Sequence, residues 1–251
     1  MRQPTALLLP GLLCDRALWA APLQALGTRV HCLVPSYGEL DSVPAMAAAV
    51  LAQAPPQFVL VGHSLGGRVA LEIMRTAAAR VSALALLNTG YQPRAAGAAG
   101  DSEARERQAL LERAEAAGMR AMGREWLERM VHPARLADPV LIEAILAMIE
   151  RCPPQVFAAQ IRALLNRPDA TAVLTAIRCP TLLLCGREDR WSPPARHEAM
   201  ARLIADSRLA VIEQCAHMSP MERPAEVAAQ LSQWLAASPG PAAAPGEPAQ
   251  V

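Results

Sequence analysis

Residues 58–67 read Phe58-Val59-Leu60-Val61-Gly62-His63-Ser64-Leu65-Gly66-Gly67, an apolar run that stops at a serine between two glycines. The chain continues as Arg68-Val69-Ala70-Leu71-Glu72-Ile73-Met74, which favours a helix. The stretch therefore predicts a buried strand, a sharp turn at the serine and a helix. The rest of the fold is organised around this unit.

The turn follows the Gly-x-Ser-x-Gly pattern of a nucleophile elbow. So tight a turn strains the serine backbone, and a β-carbon at residue 62 or 66 would collide with neighbouring backbone. In return the hydroxyl of Ser64 stands clear of the turn. The amide of Leu65 begins the helix and points to where an oxyanion would form.

Composition excludes several classes of protein. The 251 residues are 53% hydrophobic and carry a net charge of +1, so they can bury a full core and show no sign of a nucleic acid partner. No apolar run is long enough to span a bilayer and no signal-peptide pattern is seen, which predicts a cytoplasmic protein with no membrane partner. Six scattered cysteines have no metal-ligand spacing, so we expect free thiols and neither a metal nor another cofactor.

Strand and helix patterns alternate along the chain, which predicts an α/β fold with a mainly parallel six-stranded sheet and helices on both faces. The predicted strands are Thr5 to Leu9, Val30 to Val34, Phe58 to Val61, Val81 to Leu87, Thr181 to Cys185 and Leu209 to Ile212.

The segment between the fourth and fifth strands is far longer than a parallel crossover requires. Residues 91–178 contain four helical stretches broken by Gly118, Pro133 and Pro153-Pro154, and they form a separate unit beside a core of residues 1–90 and 179–237. The tail, residues 238–251, is rich in Pro, Ala and Gly and predicts disorder.

These features together resemble the α/β-hydrolase superfamily, from about residue 5 to about residue 236. The family's catalytic groups run in the order nucleophile, acid, histidine, which here corresponds to Ser64, Asp189 and His217. The resemblance implies that residues 91–178 are a lid over the site, which the Gly/Ala-rich Ala95 to Gly100 would let move. A rigid subdomain is the alternative. The family's usual N-terminal hairpin has no counterpart in this chain.

The base and the acid are expected in loops at the carboxyl edge of the sheet. His217 lies in the loop after the last strand, where the family keeps its histidine, although Gln214-Cys215-Ala216 replaces the usual glycines. Asp189 fits the family's Gly-x-x-Asp pattern and would orient His217, with Glu188 as the near rival. His63 is expected to pack behind the turn.

The resemblance also implies a second oxyanion donor in the loop after the first strand. Pro10 stands where the family has histidine and removes a donor only at residue 10, so Leu12 is the expected donor, with Leu13 as the alternative. Loop position further predicts a largely apolar pocket for an uncharged substrate. Its candidate residues are Leu13, Trp19, Trp126, Met130, Trp191 and Met218. Arg187 and Arg190 are most simply solvated, though one could lean over a carboxylate substrate.

These residues predict a serine hydrolase that cleaves a small, largely apolar carboxylic ester through an acyl-enzyme. The same machinery would serve a C–C bond hydrolase of a ring-cleavage diketone, a thioesterase, a lactonase or a perhydrolase. A ligand receptor with an intact site but negligible turnover is a further alternative. The sequence contains no signature of an oligomer interface.

Overall fold

A computed structural model describes residues 3–238 and contains one six-stranded sheet. The strands are β1 (Thr5–Leu9), β2 (His31–Leu33), β3 (Phe58–His63), β4 (Val81–Leu87), β5 (Thr181–Gly186) and β6 (Ser207–Ile212). Their order is β2-β1-β3-β4-β5-β6, and all five pairings are parallel. The predicted sheet is confirmed: β1 and β4 have the predicted bounds, and the ends of the other strands differ by one or two residues.

Burial explains why the central strands were easy to recognise. Every residue of β3 and β5 is buried, as are six of the seven residues of β4. A strand covered on both faces reads as a continuous apolar run. The edge strands β2 and β6 are only partly buried, so their apolar patterns are weaker.

Helices surround the sheet. They are α1 (Ala20–Leu26), α2 (Val43–Gln53), α3 (Leu65–Ala77), α4 (Ala98–Ala117), α5 (Met119–Met130), α6 (Pro139–Glu150), α7 (Pro154–Leu165), α8 (Thr171–Ala176), α9 (Pro194–Leu203), α10 (Ser219–Glu222) and α11 (Pro224–Ala237). Short 3-10 helices occupy Arg16–Trp19, Gly27–Arg29, Ala78–Arg80 and Pro133–Arg135.

Residues that are typical of helix N-termini begin several of these helices. The side chain of Ser42 accepts the amide of Ala45 at the start of α2, and Pro44 lies in the first turn. The side chain of Asp15 accepts a hydrogen bond from the amide of Ala17 and caps a 3-10 turn that leads into α1. The four helices predicted in the long insertion are present as α4 to α7, and α8 is an addition.

The strand order places the helices and the site. The chain leaves β1 in one direction to reach β2 and then moves steadily the other way, so right-handed crossovers put α1 on one face and α2 and α3 on the other. In agreement, α1 packs on α11 and α2 packs on α3. The order reverses between β1 and β3, and the carboxyl ends of strands at such a point form a crevice that is suited to ligands. The serine turn lies at this crevice.

Within residues 3–238, no helix combines the length and the apolar character that crossing a membrane would require. Ser238 ends α11 by donating its amide to Trp234. The remainder of the tail for which disorder was predicted, residues 239–251, lies outside the described residues.

Candidate active site

The turn at Ser64 has the strained geometry that the sequence predicts. Ser64 has φ 53° and ψ −114°, between the end of β3 and the start of α3. A β-carbon on Gly62 would lie 2.5 Å from the carbonyl oxygen of Gly66, and one on Gly66 would lie 2.1 Å from that of Leu9. Both distances are far inside van der Waals contact, so the collision predicted for residues 62 and 66 is confirmed.

Ser64, His217 and Asp189 form a continuous chain of hydrogen bonds. Nε2 of His217 lies 2.9 Å from Oγ of Ser64, and Nδ1 lies 2.9 Å and 3.1 Å from the two carboxylate oxygens of Asp189. A carboxylate can only accept, so Nδ1 carries the proton and Nε2 is free to accept the serine hydroxyl. The structure thus brings together three residues separated by up to 153 positions.

Three donors besides the histidine surround the Asp189 carboxylate. The amides of Trp191 and Ser192 donate to Oδ1 at 2.9 Å, and Nδ2 of Asn88 donates to Oδ2 at 2.9 Å. Burial alone would raise the pKa of Asp189, but the charge of His217 and these hydrogen bonds hold it well below its usual range. Asp189 is therefore ionised and fixed in place.

No sequence pattern pointed to Asn88, which follows β4 and contacts Asp189. Its backbone has φ 48° and its side chain is fully buried. Besides Asp189, its Nδ2 donates to the carbonyl of Ala216 at 3.1 Å, and its Oδ1 accepts Oγ of Ser219 at 2.5 Å. It links the acid to the loop of the histidine.

The rival acid Glu188 is engaged elsewhere. Its Oε2 accepts the amide of Cys215 at 2.9 Å, and its Oε1 lies 3.9 Å from Nε2 of His132. Among the described residues it has no contact with His217. The geometry thus favours Asp189 as the partner of the histidine.

A buried glutamate holds the loop that carries His217. Glu222 has no exposed surface and accepts the amides of Ala216 at 3.1 Å, Met218 at 3.0 Å and His132 at 2.7 Å. Burial raises its pKa, although the three amides oppose the shift. In the sequence Glu222 stands only five residues after His217, but no sequence pattern indicated which backbone amides it would accept.

His63 packs behind the turn and ties it to the same loop. Its Nε2 donates to the carbonyl of His217 at 2.8 Å, and its ring stands edge-on to Trp19 with centroids 6.4 Å apart. Burial and the neighbouring His217 lower its pKa to about 3, so the ring is neutral. Trp19, which was expected in the pocket, is instead fully buried behind His63.

The two candidate oxyanion donors can be distinguished by their neighbours. The Leu13 amide donates to Oε1 of Gln160 at 3.0 Å, so it is already used. Within the described part of the chain the Leu12 amide has no acceptor, and Leu12 borders the cavity beside Ser64. The amide of Leu65 opens α3, where first-turn amides lack partners in the helix.

A cavity of about 340 Å³ opens beside Ser64 and His217. Of the residues predicted to line it, Trp126, Met130 and Trp191 do so, and the predicted oxyanion donor Leu12 also borders it. Leu13 faces a separate cavity beside Cys14 and Gln160. Met218 has no exposed surface, and its amide donates to Met130. The expectation of a pocket site is therefore wrong for Leu13, Trp19 and Met218.

The cavity is also far more charged than expected. Among its described lining residues are the arginines Arg68, Arg107, Arg167, Arg190 and Arg196 and the glutamates Glu103 and Glu106. They come from α3, α4, α9 and two loops, so no local stretch of sequence looks basic. The predicted apolar pocket is corrected to one with a cationic wall. No cluster of three or more His, Cys, Asp or Glu side chains suited to a metal ion occurs in residues 3–238.

The fold and the sequence agree on the family. A sequence profile of the alpha/beta hydrolase family matches residues 6–230. The chain belongs to this family. It is 29% identical, over 91% of its length and 96% of the relative's, to a pimeloyl-[acyl-carrier protein] methyl ester esterase of Aromatoleum aromaticum.

Two solved hydrolase structures superpose closely on this chain. A thermophilic esterase from Thermogutta terrifontis, whose structure has malate bound, is 30% identical with a TM-score of 0.83, covering 94% of this chain and 90% of the other. The enol-lactonase from Burkholderia xenovorans LB400 is 20% identical with a TM-score of 0.81, over 94% and 92% of the two chains. At that identity the second likeness concerns the fold alone.

Proposed function

We propose that this protein is a serine hydrolase that cleaves a small carboxylic ester through an acyl-enzyme intermediate. The observation that carries the proposal is the single imidazole of His217, which bridges the hydroxyl of Ser64 and the buried, ionised Asp189. The esterase names of two relatives, at 29% and 30% identity, support the ester as the bond that is cleaved.

The proposed steps follow from the positions of the protons. As Oγ of Ser64 attacks the ester carbonyl, its proton passes to Nε2 of His217, and Asp189 stabilises the imidazolium that forms. The proton then goes to the leaving alcohol oxygen as its bond to the acyl carbon breaks. Water attacks the acyl-enzyme with His217 again as base, which releases the acid and restores Ser64.

We assign the oxyanion hole to the amides of Leu12 and Leu65. The amide of Leu13 already donates to Gln160, which supports Leu12 over Leu13 as the second donor. Two amides aimed at the developing oxyanion stabilise both tetrahedral intermediates, and losing one such donor costs about 3 kcal/mol of activation free energy.

The helices of residues 91–178 act in this proposal as a lid on the core of residues 1–90 and 179–237. Trp126 and Met130 of α5, with Glu103 and Arg107 of α4, line the cavity beside Ser64 and support this role. The cytoplasmic location stays a prediction from the sequence.

The test is hydrolysis of p-nitrophenyl esters of increasing acyl length by the native chain and by Ser64→Ala. We expect the native chain to turn over and the variant to lose at least about 10³-fold in kcat. A fluorophosphonate probe should label the native serine only. Labelling without turnover of any ester would reject the ester and leave thioester or C–C cleavage by the same residues, whereas equal turnover by Ser64→Ala would reject the mechanism.

A further inference from the structure

Two arginines without a salt-bridge partner among residues 3–238 converge at the cavity. Nη2 of Arg68 and Nη1 of Arg196 lie 3.1 Å and 3.2 Å from the position that a β-carbon would take on Gly90. Gly90 follows β4, and a β-carbon there would crowd both arginines, so the glycine lets the two side chains lie beside each other at the cavity. The salt bridges of residues 3–238 include neither Arg68 nor Arg196.

Both arginines are held by carbonyl groups rather than by charges. Nη1 of Arg68 donates to the carbonyl of Gln92 at 2.9 Å, and Nη1 of Arg196 donates to that of Trp191 at 2.6 Å. These bonds fix the side chains, and within residues 3–238 the other guanidinium N–H groups have no hydrogen-bond acceptor and can donate to a ligand. Such preorganisation reduces the entropy cost of binding.

The remaining charges of the wall do not neutralise this pair. Glu103 is shared by Arg167, in a bidentate contact at 2.7 Å and 2.8 Å, and by Arg107 at 2.9 Å. Although burial disfavours ionisation of Glu103, these two partners hold its pKa at about 2, so one negative charge faces two positive ones. Glu106 pairs with Arg129, which lies outside this cavity.

The local electrostatics around these two arginines favour the binding of an anion. Burial, and then the charges of Arg167 and Arg196, lower the pKa of Arg68 to about 9. Two like charges around one small, partly desolvated space repel each other, and an anion between them converts that repulsion into two charge-assisted hydrogen bonds.

We propose that the space between Arg68 and Arg196 binds a carboxylate group of the substrate, so that the natural ester is anionic. The inference rests on the proposed ester hydrolysis and names its substrate class as short esters that carry a free carboxylate. Ser64 borders the same cavity of about 340 Å³ as Arg68, Gly90 and Arg196, so the anion site and the serine hydroxyl share one small space. Only a short chain can therefore join the carboxylate to the ester.

The activity test compares matched pairs of esters. Monomethyl esters of four- to seven-carbon dicarboxylic acids are compared with methyl esters of monocarboxylic acids of the same length, and acetate esters of short hydroxy acids place the carboxylate on the alcohol side instead. We expect kcat/KM to favour a carboxylate-bearing ester over its neutral match by about tenfold or more, the size expected for charge-assisted hydrogen bonds. Arg68→Gln and Arg196→Gln should each lower that ratio about tenfold.

Arg113→Gln is the matched control. Arg113 is a half-exposed arginine of α4 that pairs with Glu125 and does not line the cavity. Removing it lowers the net charge equally, so the ratio should stay at the native value. An equal fall in all three variants would mean that only long-range charge matters and would overturn the proposal.

A binding measurement separates this inference from the proposed function. Calorimetry with Ser64→Ala, and with Ser64→Ala combined with Arg68→Gln, measures the affinity for glutarate, for inorganic phosphate and for neutral methyl butyrate. Arginine-dependent glutarate binding without turnover of any ester would keep the anion site and reject ester hydrolysis. Turnover of neutral and anionic esters alike, with no binding of glutarate, would keep ester hydrolysis and overturn the anion site. Tighter binding of phosphate than of glutarate would overturn the assignment to a carboxylate.

Discussion

At the scale of single residues, Asp189 and Glu188 are neighbours with different surroundings. Asp189 contacts His217 and is enclosed by donors, whereas Glu188 accepts the amide of Cys215 on a different part of the same loop system. Adjacent carboxylates therefore have separable roles, which a pair of isosteric substitutions can test.

We predict that Asp189→Asn lowers kcat about 10³- to 10⁴-fold, because an amide cannot stabilise the imidazolium or fix its tautomer. Glu188→Gln should stay within a few-fold of the native kcat, since the glutamine oxygen still accepts the Cys215 amide. Ester hydrolysis across pH 6 to 9 measures both, with circular dichroism to confirm folding. The reverse ranking of the two variants would show that Glu188 is the acid.

The contribution of Asn88 to the position of Asp189 can be tested with two substitutions. Asn88→Ala removes a donor from Asp189 and the contacts with Ala216 and Ser219, and it also replaces a residue with positive φ. Asn88→Gly relieves the backbone strain but removes the same hydrogen bonds. We expect both to lose about tenfold or more in kcat, with the glycine variant the more stable by about 1 kcal/mol. Native kcat in the glycine variant would show that the side chain has no part in positioning Asp189.

At the scale of elements, the loop between β6 and α10 is held from two sides. Glu222 of α10 accepts amides from the loop and from His132, and the carbonyl of Met130 at the end of α5 accepts the amides of His217 and Met218 at 3.0 Å and 3.2 Å. The end of α5 is thus attached to the histidine loop. The expected lid movement about Ala95 to Gly100 stays a prediction.

We predict that Glu222→Ala lowers the free energy of unfolding by about 3 kcal/mol or more, because three buried amides lose their acceptor. Glu222→Gln should lower the free energy of unfolding less, since the amide oxygen of glutamine still accepts hydrogen bonds from some of these backbone amides. Glu213→Ala is the control: Glu213 is an exposed residue near the same loop that pairs with Arg187, and its loss should leave the unfolding midpoint unchanged. Urea unfolding measures all three, and equal midpoints for the two alanine variants would contradict the role given to Glu222.

At the scale of the whole molecule, two buried histidines couple stability to pH. Burial first, with the nearby His217, lowers the pKa of His63 to about 3, and burial lowers that of His197 to about 4. Nε2 of His197 accepts the amide of Thr89 at 3.3 Å, and Nδ1 faces the carbonyl of Pro193 at 3.3 Å, so the neutral ring satisfies both. Protonation would remove the acceptor for Thr89.

We predict that the protein loses stability as the pH falls from about 6.5 to about 4. In that window the unfolded chain binds protons at these histidines and the native state does not, so the free energy of unfolding falls by up to about 1.4 kcal/mol per pH unit for each histidine. Asp189, whose pKa is depressed, adds a loss in the same direction at more acidic pH. Thermal unfolding from pH 8 to pH 4 measures the slope. His197→Gln should flatten it, and an unchanged slope in that variant would contradict the assignment.

Much of the architecture was determined by local sequence. Central strands buried on both faces must be continuously apolar, and the glycines at residues 62 and 66 are required because backbone passes within 2.5 Å of where their β-carbons would lie. The sheet, the elbow at Ser64 and the helices of the long insertion were therefore predictable. The chain order Ser64, Asp189, His217 was recognisable through the family resemblance, and the structure brings these three side chains into contact.

The surroundings of the three site residues depend on how the chain folds and could not be predicted from local sequence. Asn88 and Glu222 have their effect through contacts up to 131 positions away, and their sequence neighbourhoods do not record what they face. The wall of the cavity is assembled from arginines on α3, α4, α9 and two loops, each unremarkable in its own segment. Local periodicity and sterics specify the sheet, the turn at Ser64 and the helices, so these could be predicted from the sequence. The charge of the pocket was decided by packing, since side chains distant in sequence converge only when the helices close over the sheet.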